Sequence, residues 1–156
     1  MLQRFEPRIA ALLRASGVDQ DQAAIVAAEA LQLALNASHD PNGQWILSPH
    51  ADANSEVRWT GVVAGRLTSV RVDRVFRAGL EPLSEGQIAW WIVDYKTAHA
   101  EITHQKPADA LLKLRKDFAP QLEAYAQILR NLHGAEATVR AGLYYPRMLL
   151  LDWWEL

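Results

Sequence analysis

Asp73, Asp94, Lys96, Gln121 and Tyr125 are the residues of this chain whose types and spacing could do chemistry. Asp94 and Lys96 stand two apart at the end of the run Trp90-Trp91-Ile92-Val93-Asp94-Tyr95-Lys96-Thr97. That run begins as an apolar, β-branched and aromatic stretch, which is how a buried strand reads. Side chains alternate faces along a strand, so Asp94 and Lys96 point to one side and Val93 and Tyr95 to the other. Asp73 is the single carboxylate of Arg71-Val72-Asp73-Arg74-Val75. If that segment pairs with the 90–96 strand as a hairpin, Asp73 lies close to Asp94. Two carboxylates forced together repel unless a cation or a proton sits between them. Mg²⁺ is the natural occupant, because it takes oxygen ligands and keeps several waters. Lys96 would then reach a phosphate oxygen or a metal-bound water, and two Asp and a Lys around one phosphate suffice for phosphodiester hydrolysis. Read alone, Asp94 and Lys96 are also what an ordinary ion pair at a strand end looks like.

The elements that must position these residues follow from periodicity and turn signals. Pro7 to Ala15 reads as a short helix with Ile9, Leu12 and Leu13 on one face and Gly17 as its stop. Asp19 or Asp21 caps a second helix running to about Asn36, with Ile25, Val26, Ala30, Leu33 and Ala34 at helical spacing. Asp40-Pro41-Asn42-Gly43 is a turn signal, and Trp45-Ile46-Leu47 after it is strand-like. Glu56 to Val63, Val70 to Phe76 and the 90–96 run are three strands with short connections, an expected antiparallel meander. Ala98 to Lys116, with His99, His104 and Pro107, reads as a crossing loop with a single helical turn. Phe118 to Leu132 is a helix, with Pro120 in its first turn, Gly134 at its end, and Leu122, Tyr125, Leu129 and Leu132 on its apolar face. Two strands close the chain, Ala137 to Tyr145 and Met148 to Trp154. The expected fold class is α/β: one central mixed sheet flanked by helices.

Composition narrows the chemistry. The chain has 156 residues, half of them hydrophobic, enough for one domain with a substantial core. It has no cysteine, which excludes disulfides, thiolate zinc sites and cysteine nucleophiles and fits a cytoplasmic location. No apolar run is long enough to span a bilayer, so no membrane partner is expected. The formal net charge is −2, so any contact with nucleic acid must come from a local patch or from metal ions. His50, His99, His104 and His133 have no metal-ligand spacing and read as loop or surface residues. Trp90 and Trp91 cannot both face one layer, and Trp153 and Trp154 read as packing residues or as platforms for single-stranded bases.

The ordered series Val72-Asp73-Arg74-Val75, Ile92-Val93-Asp94-Tyr95-Lys96-Thr97 and Gln121-Leu122-Glu123-Ala124-Tyr125 resembles the PD-(D/E)XK nuclease superfamily. It is most similar to the RecB-like nuclease domain at the C-terminus of UvrD/Rep-like helicases. Ser55-Glu56, Trp90-Trp91 and Leu143-Tyr144-Tyr145-Pro146 extend the likeness from roughly Asp40 to the C-terminus. The resemblance implies a restriction-endonuclease-like core over residues 40–156, preceded by N-terminal helices over 1–39. It implies a Mg²⁺-dependent deoxyribonuclease, with Mn²⁺ able to replace Mg²⁺. Such an enzyme acts as an exonuclease in DNA repair or recombination, on single-stranded ends fed by a helicase in the same chain or complex. Asp73 and Asp94 would be metal ligands, with the Tyr95 backbone carbonyl as a third and Glu56 as an additional acidic contact. Lys96 would orient the attacking water, and Gln121 and Tyr125 would stand beside the active site. The family often carries a metal-reaching histidine on an early helix. Neither early helix has one by this reading, since His39 lies just past the second, so the chain is expected to be a C-terminal fragment that begins after that motif. Val70 stands where the family commonly has a glycine. The competing expectation is a catalytically silent nuclease-fold module that binds DNA or a helicase partner.

Overall fold

The computed structural model describes residues 2–97 and 107–156, and the expectations for His99 and His104 fall outside them. After a 3₁₀ turn at Leu2–Phe5, α1 spans Glu6–Ala15, α2 Gln20–His39 and α3 Pro41–Leu47. Strands β1 (Ala51–Val63), β2 (Arg66–Ala78) and β3 (Ala89–Tyr95) follow, then α4 (Pro107–His133), β4 (Val139–Tyr145) and β5 (Leu150–Glu155). The five strands form one sheet in sequential order. All neighbours are antiparallel except β3 and β4, which α4 joins as a parallel pair. The expected mixed α/β sheet and the meander of β1, β2 and β3 are both present.

Helices cover both faces. On one, Leu122, Tyr125 and Leu129 of α4 meet Val75, Ile92, Ala141 and Leu143 from the sheet. On the other, Ala37 of α2 and Ile46 of α3 meet Phe76, Trp91, Val93 and Tyr144. Trp91 is fully buried there, while Trp90 packs against the α4 side, so the paired tryptophans do divide between layers.

Several local readings are corrected. Trp45, Ile46 and Leu47 are helical. The Asp40 side chain accepts from the Gly43 N–H at 2.9 Å and Pro41 takes the first turn, so the apparent turn signal is a helix start. Helix α4 begins at Pro107 instead of Phe118 and runs through Pro120. An interior proline removes one helical hydrogen bond, but Leu111, Leu114 and Phe118 already pack on the core before it and carry the helix through. Leu132 is exposed, and Ala126 and Ile128 are buried near it instead. In α2 the buried residues are Ala23, Ala27, Leu31 and Ala37, whereas Ile25 and Val26 face outward; in α1 Ala10 is buried and Leu12 is exposed. Helix α2 extends to include His39, whose ring engages the Leu35 carbonyl at 2.8 Å. His50 is half-buried and stacks on Phe76 with centroids 4.3 Å apart, so it is a packing residue, whereas His133, at the end of α4, is exposed as a surface residue with one side against Trp90.

Gly43 shows how tightly α3 is seated. A Cβ there would press on the Ala37 carbonyl oxygen and stand 2.6 Å from the Tyr144 hydroxyl, which bonds Asp40 at 3.0 Å. Gly43→Ala is therefore expected to cost about 1–3 kcal/mol, as overpacking does. Urea denaturation checks this, and an unchanged midpoint would contradict it.

Candidate active site

The carboxylates come together through strand register. Arg74 pairs with Val93 and Val75 with Ile92, so continuing one step sets Asp73 beside Asp94 on the face that looks toward α4. The Tyr95 N–H donates to Asp73 Oδ2 at 2.9 Å, which locks the Asp73 carboxylate against the end of β3. Asp94 is only 5% exposed and forms an ion pair with Lys96 on the same side of the strand. Lys96 Nζ also lies 3.5 Å from the centroid of the Phe118 ring, and its backbone N–H donates to the Tyr144 carbonyl at 2.9 Å. The ammonium is thus held between a carboxylate and an aromatic face. Sequence reasoning missed Phe118, because nothing in its surroundings marks it as more than a core residue of the helix.

Burial pushes the Asp73 carboxyl above the usual carboxylate range, and the nearby charge of Asp94, within hydrogen-bonding reach, pushes it the same way. The Tyr95 N–H and the Lys96 charge act in the opposite sense without cancelling the rise. Two carboxyls thus share one ammonium, that of Lys96. Among the described residues no group of three or more His, Cys, Asp and Glu side chains is placed to hold a metal ion. Two carboxylates are nonetheless a fitting donor set for Mg²⁺, which is usually held by one or two carboxylates with waters and substrate phosphates filling the rest.

Gln121 and Tyr125 are on one face of α4, as expected, and Gln121 Nε2 donates to the Tyr125 hydroxyl. That hydroxyl in turn donates to the Arg71 carbonyl at 3.0 Å. Burial raises the Tyr125 phenol above its ordinary value and the charges of Asp94 and Asp73 add to the rise, so it stays a neutral donor. The pair clamps the β2 backbone two residues before Asp73, a positioning role. Glu56 is drawn away from the pair: its carboxylate is exposed and bound to Arg71. Its backbone has φ of +55°, which is uncommon outside glycine and marks an irregularity in β1. Ala53 and Val57 are two steps of two apart yet pack on opposite faces, and the pairing of β1 with β2 shifts register between Ala51 and Asn54. Arg74 faces away from Asp73. It donates to the Ile46, Ser48 and Ser55 oxygens and straps the end of α3 to the sheet.

The raised Asp73 has a thermodynamic consequence. Its folded pKa lies above its unfolded value of 3.8, so the stability it contributes is present below that value and is lost as pH rises through the folded pKa. At neutral pH and without a divalent cation, Asp73→Asn is therefore expected to raise Tm and to flatten its dependence on pH in the acid range. Mn²⁺ should raise the Tm of the unaltered protein and leave that of Asp73→Asn nearly unmoved. Thermal melts in EDTA and in Mn²⁺ test this, and a lower Tm for Asp73→Asn in EDTA at pH 7 would contradict it.

A scan against protein-family models and a search of curated proteins return no match to this chain. No described helix is long and apolar enough to cross a membrane.

Proposed function

We propose that this chain is a divalent-metal-dependent deoxyribonuclease domain with a restriction-endonuclease-like core. The observation that carries the reading is the meeting of Asp73 and Asp94, from adjacent strands, with Lys96 paired to Asp94 at the same end of the sheet. A close pair of carboxyls beside a single ammonium suits a site that takes up a cation together with a phosphodiester.

Asp73 and Asp94 would hold Mg²⁺, with the Tyr95 carbonyl beside them on the same stretch of backbone. The metal supplies Lewis acidity, which stabilises charge on the phosphate and eases deprotonation of the attacking water. Lys96 offers a compact point charge to a phosphate oxygen or to that water, and Phe118 and Asp94 keep its head in place. Tyr125, bonded to the Arg71 carbonyl, holds the β2 backbone so that Asp73 stays aimed at Asp94. In-line attack then leaves a 5′-phosphate and a 3′-hydroxyl. The coupling to a UvrD-like helicase and the preference for single-stranded ends are supported by the motif series alone.

The test is digestion of end-labelled single- and double-stranded linear DNA, with circular DNA alongside, in Mg²⁺, Mn²⁺ or EDTA. The expected result is release of 5′-phosphorylated products from linear DNA with either metal and none in EDTA. Intact DNA of every form in both metals would overturn the reading.

A further inference from the structure

The half of the β1–β2 hairpin that runs past the rest of the sheet enters the site described above only through the Arg71 backbone and the ion pair of Arg71 with Glu56. Strand β3 pairs with β2 only from Arg74 onward, so residues 57–72 extend beyond it as a two-stranded ribbon. One face of this ribbon is covered: Val57, Trp59 and Val70 pack on the α4 side, and the Gly61 Cα is so close to Ile128 that an added Cβ would stand 3.0 Å from it. The other face is open and carries three cross-strand pairs, Arg58 with Arg71, Thr60 with Ser69, and Val62 with Leu67.

The pairing is unusual in its charge. Like charges directly opposite each other on a ribbon destabilise it, yet two arginines occupy one cross-strand position. Arg71 is bound by Glu56, and Arg58 makes no ion pair among the described residues. Arg66 adds a third guanidinium at the turn, and residues 57–72 contain no Asp or Glu, in a chain whose formal net charge is −2. Beyond the arginines stand the bonded hydroxyls of Thr60 and Ser69, 2.9 Å apart, and then an apolar tip in which Val62 is 50% and Leu67 78% exposed. A basic, hydroxyl-bearing ribbon with an apolar end suits a polyanion whose charges run along its outside and whose apolar faces can be touched at an end or an opening.

The ribbon also adjoins the carboxylates along β2, its open face turned away from α4 and Asp73 turned toward it. The Arg71 carbonyl is the one that Tyr125 clamps, and Asp73 lies two residues further on. From Asp73 to Leu67 is six steps of strand, on the order of 20 Å, or about six base-pair steps of a duplex.

We propose that the open face of this hairpin is a docking surface for DNA flanking the site, with Arg58, Arg66 and Arg71 on phosphates and Val62 and Leu67 against bases. The proposal rests on the nuclease reading of the carboxylates for its choice of polyanion, but it is tested apart from it. Binding of fluorescein-labelled single- and double-stranded 20-mers is measured by anisotropy in EDTA, where no cleavage occurs, over a range of salt concentrations. Arg58→Ala with Arg66→Ala is expected to weaken binding about tenfold or more at low salt and to reduce the salt slope by about two, one for each lost phosphate contact. Arg58→Lys with Arg66→Lys, which keeps the charges, should restore most of the slope. Leu67→Ser should weaken binding without altering the slope. Circular dichroism melts establish that each variant folds.

Unchanged affinity and slope in the folded alanine double variant would overturn the proposal. So would a chain that binds no DNA, or variants that change only self-association in sedimentation runs. Hairpin-dependent binding by a protein that cleaves nothing would uphold the proposal while the nuclease reading falls.

Discussion

Asp94→Asn is expected to reduce DNA hydrolysis by at least about 10²–10³-fold, the scale seen when one group that meets developing charge is removed. The substitution keeps the size of the side chain and removes its charge. The carboxylate is 5% exposed, so no water-exposed substitute can take over its role. The fold should survive this change. Removing one partner of a buried pair usually costs about 3–5 kcal/mol, because the other charge is left alone. Here Asp73 stands within reach of Lys96 and lowers that cost by becoming its partner. Asp73 also loses a like charge beside it. A large fall in activity with a small change in Tm is therefore the expected pair of results. Lys96→Met should behave alike in activity but differ in stability, since it leaves Asp73 and Asp94 together without any cation. Activity of Asp94→Asn within a few-fold of the unaltered protein, in matched Mg²⁺ assays, would remove Asp94 from the site.

The second large effect is on folding. Trp91→Ala should destabilise the protein by about 3–5 kcal/mol, as truncation of a fully buried large aromatic does. Trp91 is 0% exposed and donates from Nε1 to the Gly79 carbonyl at 2.8 Å. Its ring meets Trp45 edge-on with centroids 4.9 Å apart, and Trp153 lies 5.5 Å away. These contacts join α3, the loop after β2, β3 and β5. Losing the indole opens a cavity and leaves the Gly79 carbonyl unpaired, and the two costs add. Trp91→Phe refills much of the space and should cost less. Trp90→Phe should cost less again, because Trp90 is only half-buried between His133 and Arg77. Guanidinium denaturation of the three variants gives the order, and a Trp91→Ala cost under about 1 kcal/mol would show that this cluster does not hold the sheet to α3.

Much of this was legible in the chain itself, and the reason is locality. The β3 run, the β2 segment with its single carboxylate, and the Gln121–Tyr125 turn each announce themselves within a few residues, through alternation or helical spacing. A meander with short connections leaves few registers in which apolar residues stay inside, so the approach of Asp73 to Asp94 follows from sequence pattern and turn length. Lys96 shares a face with Asp94 because the strand period is two.

Other features depended on contacts between distant segments. Trp45-Ile46-Leu47 is strand-like by composition, but Asp40, bonded to both Gly43 and Tyr144, makes it a helix. Tyr144 is over a hundred positions away in sequence, and no local rule anticipates it. Helix α4 starts well before Phe118 because a sheet face is there to receive Leu111 and Leu114. Glu56 belongs to Arg71 because the β1–β2 register sets the two as diagonal neighbours, and residue type alone does not fix that register. Ile25 and Val26 face outward although they stand at helical spacing, and the buried positions of α2 go to Ala23, Ala27, Leu31 and Ala37 instead. Spacing and the motif resemblance could thus name candidate residues. Which of them touch the carboxylates, and which instead clamp the backbone that aims them, was settled by packing, where side chains far apart in sequence compete for the same space.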